Sequence, residues 1–378
     1  MSAFRIGINA LYLIPGQVGG SEIYLRCLLR ALARIDEENT YFVFTNRETQ
    51  ADIAPAARNF HIVPQPVRAT FRPMRLLWEQ TILPREAARL QLDVLFNPGF
   101  TAPVWCPCPT ATLFFDLQYK RHPQYFRWFD LPFWKLFLWA SVRRSTALAA
   151  ASFETHRDMV RFYSLRPDSV RTIELGVDEH FFHLAERRRT ERQKRFLLCV
   201  STLHPHKNLD RLVRAFARFR DLRPEYRLVI AGMRGFYADQ LERLIHALKL
   251  DDHVRLTGWI PREELYDLYV RADAFLYPST FEGFGLPVLE ALAAGVPTAC
   301  SNIEPLRSIA GEAALQFHPE DEDQIRDAML CLVGDEDLRR RLIAAGPEIA
   351  KKFSWERTAS LTRNFLIETA RYRSRSSS

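Results

Sequence analysis

The sequence predicts an α/β protein of two doubly wound, parallel-sheet domains that face a central crevice. Three observations carry this. Strand-like and helix-like segments alternate along almost the whole chain, which implies parallel sheets covered by helices. The strands read as nearly continuous apolar runs, such as Phe196-Leu-Leu-Cys-Val200, as strands buried on both faces do. The pattern also starts afresh after a charged run, residues 183–195. At 378 residues the chain exceeds the usual size of one domain, and 47% hydrophobic residues suffice for two cores.

In the first half, strands are expected at 4–9, 41–45, 60–64, 92–96, 110–115, 147–151 and 170–174. Helices fill most gaps, notably 21–35 and 152–164. The run from His183 to Arg195 reads as a solvated linker or helix face. The second half gives strand 196–200, helix 207–220, strand 227–231, helix 238–249, strand 254–257 and helix 262–270. A buried strand at 272–278 then leads into a short helix stopped by Gly295-Val-Pro297, with strands 296–300 and 314–317 beyond. Two helices close this domain. An amphipathic segment from Trp355 to about Tyr372 carries the chain onward to a frayed tail. The expected division is 1–185, 186–352 and 353–378, with the last segment packing back toward the N-terminal domain.

The formal charge of +7 suits a phosphorylated ligand or an anionic membrane surface. It gives no case for nucleic acid, because no basic stripe interleaved with aromatics forms a recognisable module. Six cysteines show no CxxC pair and no His at zinc spacing, so buried thiols in a reducing compartment are expected. The chain begins almost at once with strand-like Phe4-Arg-Ile-Gly-Ile8, and no apolar run reaches the roughly 20 residues of a membrane span. A cytoplasmic protein is expected.

The most informative stretch is Pro278-Ser-Thr-Phe-Glu282-Gly-Phe-Gly285-Leu-Pro-Val-Leu-Glu290. Two carboxylates bracket a Gly-x-Gly turn that opens a helix. The glycines let backbone N–H groups approach a ligand, and a helix N-terminus favours negative charge. If the intervening residues are helical they rise roughly 12 Å, so Glu282 and Glu290 would reach opposite ends of an extended phosphate-containing ligand. The competing reading makes Glu282 a helix-terminal charge and Glu290 a solvated one. Other signals fall at strand–helix turns on the same predicted crevice side. Gly16-Gln-Val-Gly19-Gly20 follows the first strand but lacks GxGxxG, so a dinucleotide fingerprint is unsupported. Thr202-Leu-His-Pro-His-Lys207-Asn places a cation at an expected helix start, where it can hold a diphosphate with free N–H groups. Gly232, and Gly258-Trp-Ile260, sit in turns able to offer backbone groups to a nucleobase.

Together these residues resemble the retaining glycosyltransferases of family 4, which have the GT-B architecture of two Rossmann-like domains. Glu282 to Glu290 looks like that family's E-x7-E signature, complete with Gly-Phe-Gly-Leu-Pro. The resemblance extends over Gly19-Gly20, Trp78-Glu-Gln, Asp93-Val-Leu-Phe-Asn-Pro98, Asp116-Leu, Gly176-Val-Asp178, Lys207-Asn, Ala231-Gly232 and Asn302. It implies that Glu282 accepts hydrogen bonds from donor-sugar hydroxyls beside the N–H groups of Gly283, Phe284, Gly285 and Leu286. Glu290 would hold the ribose hydroxyls. Lys207 would neutralise the leaving diphosphate, and Asp116 would join Glu282 and Lys207 as the catalytic set. Gly19, Gly20, Thr202, Gly232 and Ile260 would line the substrates. The implied chemistry is retaining transfer from a nucleotide sugar with no bound metal and no other cofactor.

Two positions depart from the family pattern. Phe115 stands where His-Asp-Leu is common, and Thr202 stands where an Arg often precedes the Lys by five residues. A mannosyltransferase-like subset carries Thr-Leu-x-Pro-x-Lys-Asn, as here. This points to GDP-mannose as donor and a glycan or lipid-linked acceptor, in polysaccharide or glycolipid assembly. A UDP-hexose donor, or a catalytically weakened scaffold subunit, are the alternatives. Asp321-Glu-Asp323 and Asp335-Glu-Asp337 match D-x-D but precede expected helices, where acids stabilise the N-terminal dipole. The aromatic stretch from Tyr125 to Trp139, followed by Arg143-Arg144, suits either an interfacial helix on anionic lipid or a packed crevice helix.

Overall fold

A computed structural model describes residues 3–16, 19–49, 53–126, 128, 131–190 and 195–375. Parts of several stretches discussed above lie outside these residues: Gln17 and Val18, the aromatic run at 127 and 129–130, the charged run at 191–194, and the tail at 376–378. The chain divides into two compact units, residues 1–176 with 355–378, and residues 177–354.

The first unit holds a seven-stranded parallel sheet: β1 (Arg5–Asn9), β2 (Thr40–Thr45), β3 (Phe60–Pro64), β4 (Val94–Asn97), β5 (Thr110–Phe114), β6 (Ala147–Ala150) and β7 (Val170–Thr172). Their spatial order is 3-2-1-4-5-6-7, so the order reverses between β1 and β4. The helices are α1 (Gly20–Ile35), α2 (Arg72–Arg89), α3 (Gln118–Arg121), α4 (Leu131–Arg144) and α5 (Phe153–Tyr163). Right-handed crossovers put α1 on one face and α2, α4 and α5 on the other. Both faces being covered, β1, β2, β4 and β5 are buried almost end to end.

The second unit repeats the plan: α6 (His180–Thr190), β8 (Phe196–Val200), α7 (Leu209–Leu222), β9 (Arg227–Ala231), α8 (Ala238–Ala247), β10 (Val254–Leu256), α9 (Arg262–Arg271), β11 (Ala274–Tyr277) and α10 (Leu286–Ala293). It ends with β12 (Thr298–Ser301), α11 (Leu306–Ala310), β13 (Leu315–Phe317), α12 (Glu322–Gly334) and α13 (Glu336–Ala350). The sheet order is 10-9-8-11-12-13, which places the switch point between β8 and β11. Leu197, Leu198, Leu212, Phe216, Leu228 and Leu276 are fully buried in its core. The final helix, α14 (Trp355–Arg375), belongs to the first unit and packs on α1. Arg363 donates to the Ile35 carbonyl at 3.1 Å, and the Trp355 ring meets Tyr24 edge-on at 5.9 Å. That second layer explains why α1 buries seven side chains rather than a narrow stripe.

Each strand expected from the sequence is present, but four expectations need correction. The first boundary falls at 176/177, not 185/186, because α6 packs within the second unit. Within α6, Phe181 and Leu184 are buried, and the charged run is no plain solvated linker, for Arg188 is buried too. Its guanidinium donates to the carbonyls of Tyr269, Val270 and Ala272, closing the C-terminal end of α9. The helix expected from 207 begins at Leu209, because Asn208 adopts the left-handed conformation and Lys207 ends a short 3-10 turn. The cysteines are also mixed: Cys199 and Cys300 are buried, while Cys331 is exposed.

Candidate active site

The second unit's site is built where β8 and β11 lie side by side and send their chains in different directions, the place where open α/β sheets bind ligands. The loop after β8 carries Lys207 and the loop after β11 carries Glu282. Backbone and amide bonds join the two loops. Thr280 donates both its N–H, at 2.8 Å, and its hydroxyl, at 3.1 Å, to the carbonyl of His206. The buried amide of Asn208 donates to the carbonyls of Pro278 at 3.0 Å and Pro319 at 2.6 Å. Lys207 and Glu282 are thereby fixed face to face, with Nζ donating to Oε1 at 2.6 Å and to the Tyr277 hydroxyl at 3.1 Å. Both members of the ion pair are largely shielded from solvent. Burial, and then the nearby Glu282 charge, push the Tyr277 hydroxyl well above its ordinary value.

Glu282 does not open the helix itself. Gly285 does, at φ 115°, a conformation that favours glycine, and a Cβ there would fall 2.4 Å from Leu306. Among the described residues, nothing accepts from the N–H groups of Gly283, Phe284, Gly285 or Leu286, and Pro287 has no N–H to satisfy. Three of these donors lie within three residues of Glu282, which pairs with Lys207, and α10 begins directly after them, a setting suited to an anionic group. The Phe284 side chain is not part of that surface; it is buried edge-on to Phe353 at 6.0 Å.

Glu290 is buried, which removes the solvated reading. It accepts from the Tyr269 hydroxyl at 3.0 Å. Burial, offset in part by Arg262 and the Tyr269 bond and reinforced by Asp178, leaves its carboxyl raised to about 7. Arg262 pairs with Asp178 at 2.9 Å and with the hydroxyl of Tyr266. Burial works against the guanidinium's charge, yet Tyr266, Glu290 and Asp178 outweigh it and hold the group protonated. The two clusters share the aromatic ladder of β11, where Phe275 stacks on Tyr269 at 5.8 Å and on Tyr277 at 6.0 Å. The helix starts after Gly285, as the turn in the sequence suggests, so Glu282 lies before α10 and Glu290 in its second turn, and the residues between them are helical only in part.

The remaining expected residues fall in different settings. Thr202 lies in the half-buried loop after β8, and Ile260 in the half-buried turn before α9. Gly232, at φ 150°, is explained by packing: a Cβ would meet the Ser201 carbonyl oxygen at 2.2 Å, and its N–H donates to Gly258 at 3.2 Å. In the first unit, Gly19 and Gly20 open α1, with Glu22 and Ile23 N–H groups bonding to the Gly19 carbonyl. Asp116, half-buried past β5, accepts from the Gln118 N–H at 2.8 Å. Phe115 packs edge-on between Tyr24 at 5.0 Å and Phe100 at 5.6 Å, an aromatic role no imidazole pattern would predict. Asp321 and Asp335 cap α12 and α13, accepting from Asp323 and Gln324 N–H groups and from the Leu338 N–H. Among the described residues, no three His, Cys, Asp or Glu side chains converge on a metal position.

Sequence reasoning missed Tyr277, Tyr269 and Arg262 as site residues. Each reaches a carboxylate from another element, so no local spacing reveals it. The histidines flanking Pro205 also form an unexpected pair, with Nδ1 atoms 2.5 Å apart. Burial and then Lys207 depress His204 to about 4.

Two Rossmann-type sheets, each with its own switch point, are the plan of the GT-B glycosyltransferases. Residues 18–181 match the family model described as Glycosyltransferase Family 4, and residues 183–349 match that described as Glycosyl transferases group 1. The chain belongs to the family-4 glycosyltransferases. It is 29% identical over 262 residues to an Escherichia coli O-antigen chain mannosyltransferase B, covering 67% of this chain and 69% of that one. It is 32% identical over 238 residues to an E. coli serotype-specific mannosyltransferase, covering 59% of this chain but 29% of the relative. A sucrose-phosphate synthase from Thermosynechococcus elongatus superposes with a TM-score of 0.79 at 19% identity, over 97% of this chain and 98% of that one.

Proposed function

We propose that the protein moves mannose from GDP-mannose to a glycan or lipid-linked acceptor, with retention at the anomeric carbon and without a metal, in polysaccharide or glycolipid assembly at the cytoplasmic side of a membrane. The observation that carries this is the Lys207–Glu282 pair, shielded and zipped at the switch point beside the N-terminus of α10. An entering diphosphate competes with Glu282 for Lys207. Lys207 then neutralises the departing phosphate, and the released Glu282 carboxylate turns to the sugar hydroxyls. The bond from C1 to the diphosphate breaks, C1 bonds to the acceptor oxygen on the same face, and the acceptor's proton leaves with the diphosphate. Glu290, with Tyr269 and Arg262 around it, takes the ribose. Mannose as the sugar is supported by the mannosyltransferase relatives and by the Thr-Leu-x-Pro-x-Lys-Asn stretch.

The test is a panel of radiolabelled GDP- and UDP-sugars offered to wild type, Lys207→Ala and Glu282→Ala. Release or transfer of mannose from GDP-mannose that disappears in both variants supports the reading; turnover of a UDP-hexose alone replaces the donor. Phe115 favours a second reading, a scaffold subunit with weakened catalysis, because its ring is committed to Tyr24 and Phe100. No turnover of any donor by the folded protein would select it.

A further inference from the structure

Two thiols of the first unit touch. On the segment that joins β4 to β5, the Sγ atoms of Cys106 and Cys108 lie 3.5 Å apart, and neither is in a disulfide. The local sequence explains the contact. Each cysteine precedes a proline, Pro107 or Pro109, which restricts its backbone, and Pro107 fixes the φ between them. The chain bends at Pro107 and Cys108, turning the two side chains toward each other. The Leu95 N–H donates to the Pro109 carbonyl at 2.9 Å, so β4 anchors the bend. Cys108 is buried against Leu83, Ala87 and Leu92, and Cys106 sits half-buried at the edge of that core. One thiol can therefore be reached, with the other held directly behind it. A disulfide needs the sulfurs at about 2.05 Å, so a closure of about 1.5 Å separates this pair from a bond.

The position is remote from the substrate-side turns. Pro107 lines a cavity of about 360 Å³ with Ala88, Gln91 and Asp93. It lies at the amino ends of β4 and β5, opposite the strand ends that lead to Gly19, Gly20 and Asp116. A cavity of that volume is within the range that holds small molecules. Other cysteines are placed differently. Burial pushes the Cys199 and Cys300 thiols up to about 12, which keeps them inert. A bond between Cys106 and Cys108 would close so short a loop that it removes little chain entropy, so it is no structural staple. In a reducing compartment, disulfides of that kind are transient and sense redox state.

We infer that Cys106 and Cys108 form an exchange site for a low-molecular-weight disulfide of the glutathione class, closing reversibly to an intramolecular disulfide. Cys106 loses its proton to solvent and attacks one sulfur of the small disulfide. That S–S bond breaks, a mixed disulfide forms on Cys106, and one small thiolate leaves and takes up a proton. Cys108 then loses its proton and attacks the Cys106 sulfur, and the second small thiolate leaves and is protonated. Two protein thiols are oxidised, and one small disulfide is reduced to two thiols. The exchange needs neither sugar donor nor acceptor, so it stands or falls apart from the proposed transfer reaction.

The experiment equilibrates the full chain in mixtures of reduced and oxidised glutathione, blocks remaining thiols and weighs the tryptic peptide of residues 90–120. That peptide contains Cys106 and Cys108 and no other cysteine. It is expected to lose two hydrogens as oxidised glutathione rises, and to regain them with dithiothreitol. Cys108→Ser should trap glutathione on Cys106, whereas Cys106→Ser should leave the buried Cys108 unmodified. Folding has already brought the sulfurs together. The folded protein should therefore keep the bond in a glutathione mixture about tenfold or more reducing than the urea-unfolded chain tolerates. A peptide that stays reduced, or that gains two glutathiones in place of the ring, overturns the inference. So does an equal midpoint in the folded and unfolded chains, or glutathione trapped on Cys108 in Cys106→Ser.

Discussion

Replacing Glu290 by Gln should stabilise the second unit at pH 8 and leave it unchanged near pH 4. The carboxyl is buried, and its environment moves it from an ordinary 4.5 to about 7. A raised acid holds more protons folded than unfolded between those values, so stability is fullest below about pH 4.5 and falls as pH rises through about 7. The displacement corresponds to about 3 kcal/mol of stability missing above pH 7. For a unit of about 180 residues, each kcal/mol moves the midpoint by roughly 2–4 °C, giving about 6–12 °C in all. Gln keeps an acceptor for the Tyr269 hydroxyl and carries no charge, so the variant should recover most of that difference at pH 8. The assay is thermal unfolding by circular dichroism of wild type and Glu290→Gln at pH 4, 6 and 8, with nucleotide titration alongside. With Glu290 taking the ribose as proposed, the same variant should bind nucleoside diphosphate about tenfold or more weakly. Equal destabilisation at every pH, or wild-type stability that rises relative to the variant between pH 5 and 8, would refute the reasoning.

Three further outcomes follow from the same contacts. Asn208→Ala strips two buried carbonyls of their donor and should cost about 2–4 kcal/mol in urea unfolding; Asn208→Gly, which relieves the backbone but not the carbonyls, should recover little of it. Gly232→Ala drives a methyl against the Ser201 carbonyl in a backbone region few residues tolerate, and should cost about 2–5 kcal/mol by the same measurement. Arg188→Met should destabilise by about 1–4 kcal/mol, because three carbonyls at the end of α9 lose a buried donor, and hydrogen exchange should quicken first in α9.

The architecture was legible because strands buried on both faces leave unbroken apolar runs and their connections leave glycines and prolines. Boundaries were less so. Residues 183–190 carry enough charge to read as a linker, and the burial of Leu184 with the three carbonyl acceptors of Arg188 reveals that the segment is anchored. At the site, Glu282, Lys207 and Glu290 could be picked out from local punctuation around them. Their partners could not. Tyr277 meets Lys207 across 70 residues, and Tyr269 meets Glu290 across 21, through tertiary packing that spacing does not encode. Gly232 carries a demand the sequence did not show: beside the ligand role expected of a glycine after a strand, the Ser201 carbonyl alone leaves no room for a Cβ.

The most direct measurement is calorimetric titration of GDP, UDP and GDP-mannose into wild type and Lys207→Ala, followed by transfer assays with the donor that binds. The Lys207–Glu282 couple as donor site predicts that wild type binds GDP and turns over GDP-mannose. Lys207→Ala should stay folded, bind GDP more weakly and lose about 100- to 1,000-fold in turnover. Full affinity and turnover in Lys207→Ala would contradict it.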